Sequence, residues 1–234
     1  MANGIRTFLI TGCSRGIGLE LCDQLLEQDH HVVATARNPN ASEKLKALTA
    51  AYPEQCRLEK LDVTSEDSVQ SLVERLGPEF AVDVLINNAG VFRNHEAPLT
   101  QVSILDLVEM YNVNTLGPLR VTRALLPLLQ LCARPVIVNV STGLASISDN
   151  TGGKAYGYRM SKSALNMFTK TVAMDYPRII CVAADPGWVR TDMGGLDAQR
   201  NVESTARSLV HLIEGLRPDD SGMFLDTRGG ETHW

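Results

Sequence analysis

The stretch "KAYGYRMSK" holds two tyrosines two positions apart, and the second, Tyr158, is followed four residues later by Lys162. On a helix that spacing sets the phenol and the ammonium on one face, about one turn apart. A free tyrosine titrates near a pH of about 10 and is a poor proton donor or acceptor at neutrality, but an adjacent ammonium favours the phenolate and draws its pKa toward the working range. Tyr158 and Lys162 are therefore a candidate proton-transfer pair. Standing alone, such a pair is by default a surface contact. Here the same face continues through Leu165, Thr169 and Val172, which turns it toward the interior. Tyr156 lies about 200° round the axis from Tyr158. The residue four beyond it is Met160, and Lys154 follows Gly152 and Gly153, a pair that marks a loop. Just upstream, Ser141 and Thr142 put hydroxyls at the end of an apolar run.

A second group of residues suits phosphate. The first apolar run leads into "TGCSRGIG", with Gly12, Gly16 and Gly18, and then into a helical segment. Glycines there let the backbone turn sharply and approach a pyrophosphate, whose charge the helix N-terminus stabilises. Position matters more than the trio itself, because glycines mark many turns and only this context specifies a dinucleotide. The second run ends in Ala36 and Arg37 with no acid to take a ribose hydroxyl, and Arg15 stands in the glycine turn. Two guanidinium groups fit a 2'-phosphate, which makes NADPH the expected cofactor over NADH. The competing reading is a pair of solvated surface arginines.

The elements that must position these groups follow from alternation. Apolar runs at 6–12, 30–36, 56–63, 82–90, 135–141, 179–187 and 222–227 read as strands, and segments such as 17–28, 66–76, 115–132, 156–176 and 203–215 read as helices. Strands apolar on both sides, each followed by a helix, predict an α/β doubly wound (Rossmann) fold with a seven-stranded parallel sheet. No charge run or repeat marks a boundary, so residues 1–234 read as a single domain, with a short substrate loop at about 192–203. Ligands of such sheets lie at the carboxyl ends of the strands, where the polar motifs fall.

The totals exclude more than they specify. A chain of 234 residues with 44% hydrophobic residues and a net charge of −5 can bury a sizeable core and lacks the basic surface that nucleic acid or anionic membrane requires. Small-molecule partners are expected. Five cysteines without a CxxC pair suit reduced, buried thiols rather than a disulfide frame or a metal site. "MANGIRTFLITG" has no leader-like apolar segment, and no membrane-length run follows, so a cytoplasmic protein is expected.

Read in order, "TGCSRGIG", "LDV", "NNAG", "VNTLG", "NVST", "YRMSK" and "DPGWVRTDM" resemble the short-chain dehydrogenase/reductase family over nearly the whole chain. Within it, "AYGYRMSKSALNM", "PGWVRTDMGG" and the tail ending in Trp234 are most similar to the Sniffer and C-factor group of carbonyl reductases. The resemblance implies a cofactor site built from Gly12, Ser14, Arg15, Gly16, Ile17, Gly18 and Arg37, with Asp62 and Val63 at the adenine. Asn88, Ala89 and Gly90 then line the adenosine and ribose, and Pro186, Gly187, Val189 and Thr191 meet the nicotinamide carboxamide, with Tyr158 and Lys162 also against the cofactor. Taken alone, Asp62 is also a fair helix cap, Asn114 a turn or cap residue, and Asn87 a strand-end turn former.

The implied catalytic set is Asn114, Thr142, Tyr158 and Lys162. Tyr158 gives a proton to the developing alkoxide, Lys162 tunes it, and Asn114 holds a water that replenishes it. Thr142 occupies the place of the family's usual second serine and keeps the donor that orients a carbonyl oxygen, with Ser141 as understudy. The expected function is reversible, NADPH-dependent reduction of aldehydes or ketones. A nucleotide-sensing signalling or regulatory protein of the same fold is the alternative. Family members are commonly homodimers or homotetramers through helices corresponding to 115–132 and 156–176.

Overall fold

The computed structural model describes residues 4–94 and 96–234. Residues 1–3, on which the reading of a leaderless N-terminus partly rests, lie outside it. All seven expected strands form: β1 Thr7–Ile10, β2 His31–Ala36, β3 Cys56–Lys60, β4 Val84–Asn87, β5 Val136–Val140, β6 Ile180–Asp185 and β7 Phe224–Asp226. They make one parallel sheet in the order β3-β2-β1-β4-β5-β6-β7. The order reverses between β1 and β4, and this switch point opens a crevice at the carboxyl ends of the two strands.

Strand alternation supplies a core on each face. Phe8 and Ile10 pack with Leu21, Leu25, Leu209 and Ile213, whereas Leu9 between them packs with Val121, Leu125, Ile137 and Val172. The first set lies under α1 (Gly16–Leu26) and α7 (Val202–Gly215), and the second under α3 (Glu66–Leu76), α5 (Gly117–Leu129) and α6 (Tyr156–Asp175). Ser65 and Asn201 cap α3 and α7 through their side chains, satisfying amides that would otherwise lack partners.

Two further helices, α2 (Glu43–Ala51) and α4 (Ile104–Tyr111), have no counterpart in the elements read from sequence. α4 runs through a π-turn at Asn112–Leu116 directly into α5. Wide turns of this kind displace one residue from the helical register and recur at functional sites. This one carries Asn114, fully buried. No helix among the described residues is long and apolar enough to cross a membrane.

Candidate active site

The glycine turn after β1 leaves no room for a side chain at Gly12 or Gly18. Gly12 has φ +76, and a Cβ there would lie 2.9 Å from the Ala89 Cα. On Gly18 a Cβ would meet the Gly12 carbonyl oxygen and Asn88 Nδ2, each at 2.5 Å. Gly16, with φ +60, faces the Thr191 methyl at 3.4 Å. The turn is laced to the end of β4. Thr11 Oγ1 accepts the Asn88 and Ala89 amides, both at 3.0 Å, and Asn88 Nδ2 donates to the Thr11 and Gly12 carbonyls at 2.8 and 3.2 Å. Arg15 stands at the start of α1 without a side-chain cap, and the first turn contains no acid. The amides at this helix end are thus left for an anion.

At the adenine end, Asp62 Oδ1 accepts the Thr64 amide at 2.9 Å and its hydroxyl at 2.7 Å. Burial alone would raise this carboxyl's pKa. The two Thr64 hydrogen bonds, with the charges of Arg37 and Arg120, outweigh burial and hold it below its ordinary value. Ser65, not Asp62, caps α3. Val63 is buried against Gly117, where a Cβ would lie 2.9 Å from its Cγ2. Arg37 is exposed just beyond β2. Arg15 pairs with Asp192 at 2.6 Å, a bridge with both side chains at least 70% exposed. Such a pair contributes little and can exchange for another anion.

The proton-transfer groups converge at the carboxyl ends of β4, β5 and β6. Tyr158 is half-buried, its ring 4.3 Å from that of Phe92. Lys162 is 4% exposed and donates to the Val140 carbonyl at 2.7 Å, with its Nζ 6.0 Å from the Tyr158 ring centroid. Burial lowers the Lys162 pKa to about 8. Burial and the Asp185 carboxylate together raise that of Tyr158. In the chain by itself the phenol is therefore held protonated, opposite to the lowering expected from the lysine alone. Tyr156 is the exposed first residue of α6, and Lys154 lies outside the helix, paired with Glu96.

Asn114 reaches this corner from the π-turn. Its Oδ1 accepts the Val91 amide at 2.8 Å, while Nδ2 donates to the Val91 carbonyl at 2.9 Å and to Ser161 Oγ at 3.0 Å. A Cβ on Gly90 would lie 3.4 Å from Asn114 Oδ1 and 3.8 Å from Lys162 Nζ, so all three share one wall. The two hydroxyls at the end of β5 differ in their commitments. Ser141 is buried and donates to Asn166 Oδ1 at 2.6 Å. Thr142 Oγ1 only accepts, from the Leu144 amide at 3.3 Å, which leaves its proton to donate.

The Pro186–Gly187 bend follows β6, with Gly187 at φ +75, and the chain then passes through buried Val189 to Thr191 beside Gly16. Asn87 belongs to the core rather than the site: its Nδ2 donates to Asn139 Oδ1 at 2.8 Å across β4 and β5. Sequence reasoning passed over Phe92, which no local motif marks, and gave no role to Ser161 and Asp185 although they lie within "YRMSK" and "DPGWVRTDM". It also missed how the tail is used. The Trp234 carbonyl oxygen accepts the amides of Ile147 and Ser148 and the hydroxyls of Ser146 and Ser148, and its ring stacks on Phe224 at 5.6 Å. The tail thereby fixes the segment just after Thr142.

A parallel sheet with a switch point and a glycine turn packed against the end of the neighbouring strand at that point define a dinucleotide-binding α/β protein. Residues 6–201 match the family described as short chain dehydrogenase, and the chain belongs to that family of oxidoreductases. It is 43% identical over 155 residues to the C-signal of Myxococcus xanthus, covering 65% of this chain and 93% of that one. Among solved structures it is similar to the carbonyl reductase Sniffer of D. melanogaster, with a TM-score of 0.94 and 34% identity, covering 99% of this chain and 100% of that chain. It is also similar to the NADPH-bound carbonyl reductase from chicken fatty liver, with a TM-score of 0.91, 34% identity and the same coverage.

Proposed function

We propose that this chain is an NADPH-dependent carbonyl reductase acting on aldehydes or ketones. The observation that carries the reading is the convergence of Tyr158, Lys162 and Asn114 on one corner, with Lys162 bonded to the last residue of β5 and Thr142, a hydroxyl with a free proton, two residues beyond it. Glycines at 12 and 18, where a Cβ would strike Ala89, Asn88 or the Gly12 carbonyl, keep the turn tight at the switch point, which fits a pyrophosphate passing close to the backbone. Gly12 to Gly18 would hold that pyrophosphate, Asp62 and Val63 the adenine, and Pro186 to Thr191 the carboxamide. When bound, NADPH supplies the hydride.

Thr142 donates to the carbonyl oxygen and orients it, and its bond strengthens as negative charge grows there. Tyr158, held as the protonated phenol, gives its proton to that oxygen. Buried Lys162 keeps a positive charge beside the resulting phenolate and stabilises it. Asn114 holds the route by which the proton is replaced. Oxidation of NADPH in the presence of simple diketones and quinones, followed spectrophotometrically, tests the reading; absence of turnover with every such compound would count against it.

Cofactor choice rests on Arg37, helped by Arg15 once Asp192 is exchanged for phosphate. NADPH is expected to bind more tightly than NADH, and Arg37→Ala should remove about 1.5–3 kcal/mol of that preference, the worth of a charged hydrogen bond. Equal affinity of the wild type for both cofactors, measured by titration, would contradict the assignment.

We also propose a homodimer or homotetramer and a cytoplasmic location. Met160, Met167 and Met174 recur every seven residues along α6, all at least 59% exposed, beside exposed Leu105 and Val108 on α4. Apolar surface of this kind favours association, and it lies on α4 and α6 rather than on α5. Light scattering in solution should give at least twice the monomer mass; a monomer at all concentrations would exclude it. Five free, buried thiols suit a reducing compartment.

A further inference from the structure

One charged side chain at this corner makes no hydrogen bond to any of the proton-transfer groups, although its charge bears on Tyr158. Asp185 is the last residue of β6 and is half-buried. Its Oδ1 accepts the Gly187 amide at 2.9 Å, a bond that shapes the Pro-Gly bend. Its other oxygen borders Gly143: a Cβ built there would lie 3.2 Å from Oδ2. Gly143 follows Thr142, so the carboxylate borders the backbone next to the hydroxyl assigned to the carbonyl. Its charge also reaches Tyr158.

None of the neighbouring cations among the described residues forms an ion pair with Asp185. Its register partner on β7 is Asp226. There the carboxylate accepts the amides of Arg228 and Gly230 at 2.7 and 2.9 Å and has the Arg228 guanidinium at 3.6 Å. Arg200, which packs over Gly187, is turned to Thr227 Oγ1 at 2.7 Å. Among the described residues Asp185 has no ion pair, and its one hydrogen bond is to a neutral amide. A half-buried carboxylate in this position acts on any charge brought beside it, and does so more strongly than a solvated one.

We infer that Asp185 sets the charge preference of the substrate pocket, favouring aldehydes and ketones that carry an ammonium group near the carbonyl and disfavouring carboxylated ones. This rests on the carbonyl-reductase reading and adds a substrate class to it. The structural role of Asp185 is separable, because Asp185→Asn keeps the acceptor for the Gly187 amide and removes only the charge.

The test uses three benzaldehydes that differ only in the para group: trimethylammonium, methyl or carboxylate. For each, kcat/KM with NADPH is divided by the value for the methyl compound, and the wild type is compared with Asp185→Asn. That comparison cancels the electronic effect of the substituent on the carbonyl. The cation's relative value should be about fivefold higher in the wild type than in the variant, and the carboxylate's about fivefold lower, as for a partly screened ion pair. The differences should lie in KM, and in the wild type alone they should shrink as salt is raised. The salt series decides the matter if the variant does not fold. Charge preferences identical in the two proteins, or insensitive to salt in the wild type, would overturn the inference while leaving the reductase reading intact. Reduction of none of the three would defeat that reading and this inference with it.

Discussion

Replacing Tyr158 by Phe is expected to lower carbonyl reduction by about 100- to 10,000-fold, the range for loss of a positioned general acid, with NADPH affinity nearly unchanged. The ring stays, so packing against Phe92 at 4.3 Å is retained and only the hydroxyl is lost. Neither Lys162 nor Tyr156 is placed to substitute for it. Lys162 is committed to the Val140 carbonyl at 2.7 Å. Tyr156 begins α6 on a different side, 38% exposed. Tyr156→Phe should therefore keep most activity. Turnover and cofactor titration for both variants decide it, and an active Tyr158→Phe beside a folded but dead Tyr156→Phe would reverse the assignment.

Thr142→Val should lower turnover by about 100-fold or more, the usual loss for one donor to a developing oxyanion. Valine keeps the branched shape and removes the only hydroxyl in this turn whose proton is uncommitted. Ser141→Ala predicts a different signature. It leaves buried Asn166 Oδ1 without the donor it now has at 2.6 Å, at about 1–3 kcal/mol of stability, with turnover little changed. Chemical unfolding and steady-state rates on the two variants separate these effects. Loss of turnover in Ser141→Ala with a normal rate in Thr142→Val would move the orienting role one residue back.

The sheet was legible because its central strands, such as β4 and β5, are buried on both faces and so read as short apolar runs, whereas the edge strand β3 carries Arg57, Glu59 and Lys60. The runs overshoot the strands, as "RTFLITG" does beyond Thr7–Ile10, because residues such as Thr11 and Gly12 belong to the binding turn. Helices with one apolar face, such as α3 and α7, were equally plain. α4 was not: Ile104, Leu105 and Val108 point outward, so apolar residues surround it and hide the period. α2 buries only Leu45, too little to pattern. In the site, residue types and spacing pointed to Tyr158, Lys162 and the glycines, since their chemistry is local. Which hydroxyl is free was not readable, because it depends on Asn166, 25 positions from Ser141. Nor was the Arg15–Asp192 bridge, which spans 177 positions. What raises the Tyr158 pKa in the chain by itself was unreadable for the same reason: Asp185 and the surrounding burial come from other elements.

The most direct test of hydride transfer to a carbonyl is to supply NADPH carrying deuterium at the transferable position together with a reducible diketone, and to examine the product by NMR. The expected result is an alcohol with one deuterium on the new carbinol carbon for each NADPH consumed, and none formed by Tyr158→Phe on the same timescale. Binding of NADPH without any labelled alcohol, across the carbonyl panel, would contradict the account and leave a nucleotide-binding protein without this chemistry.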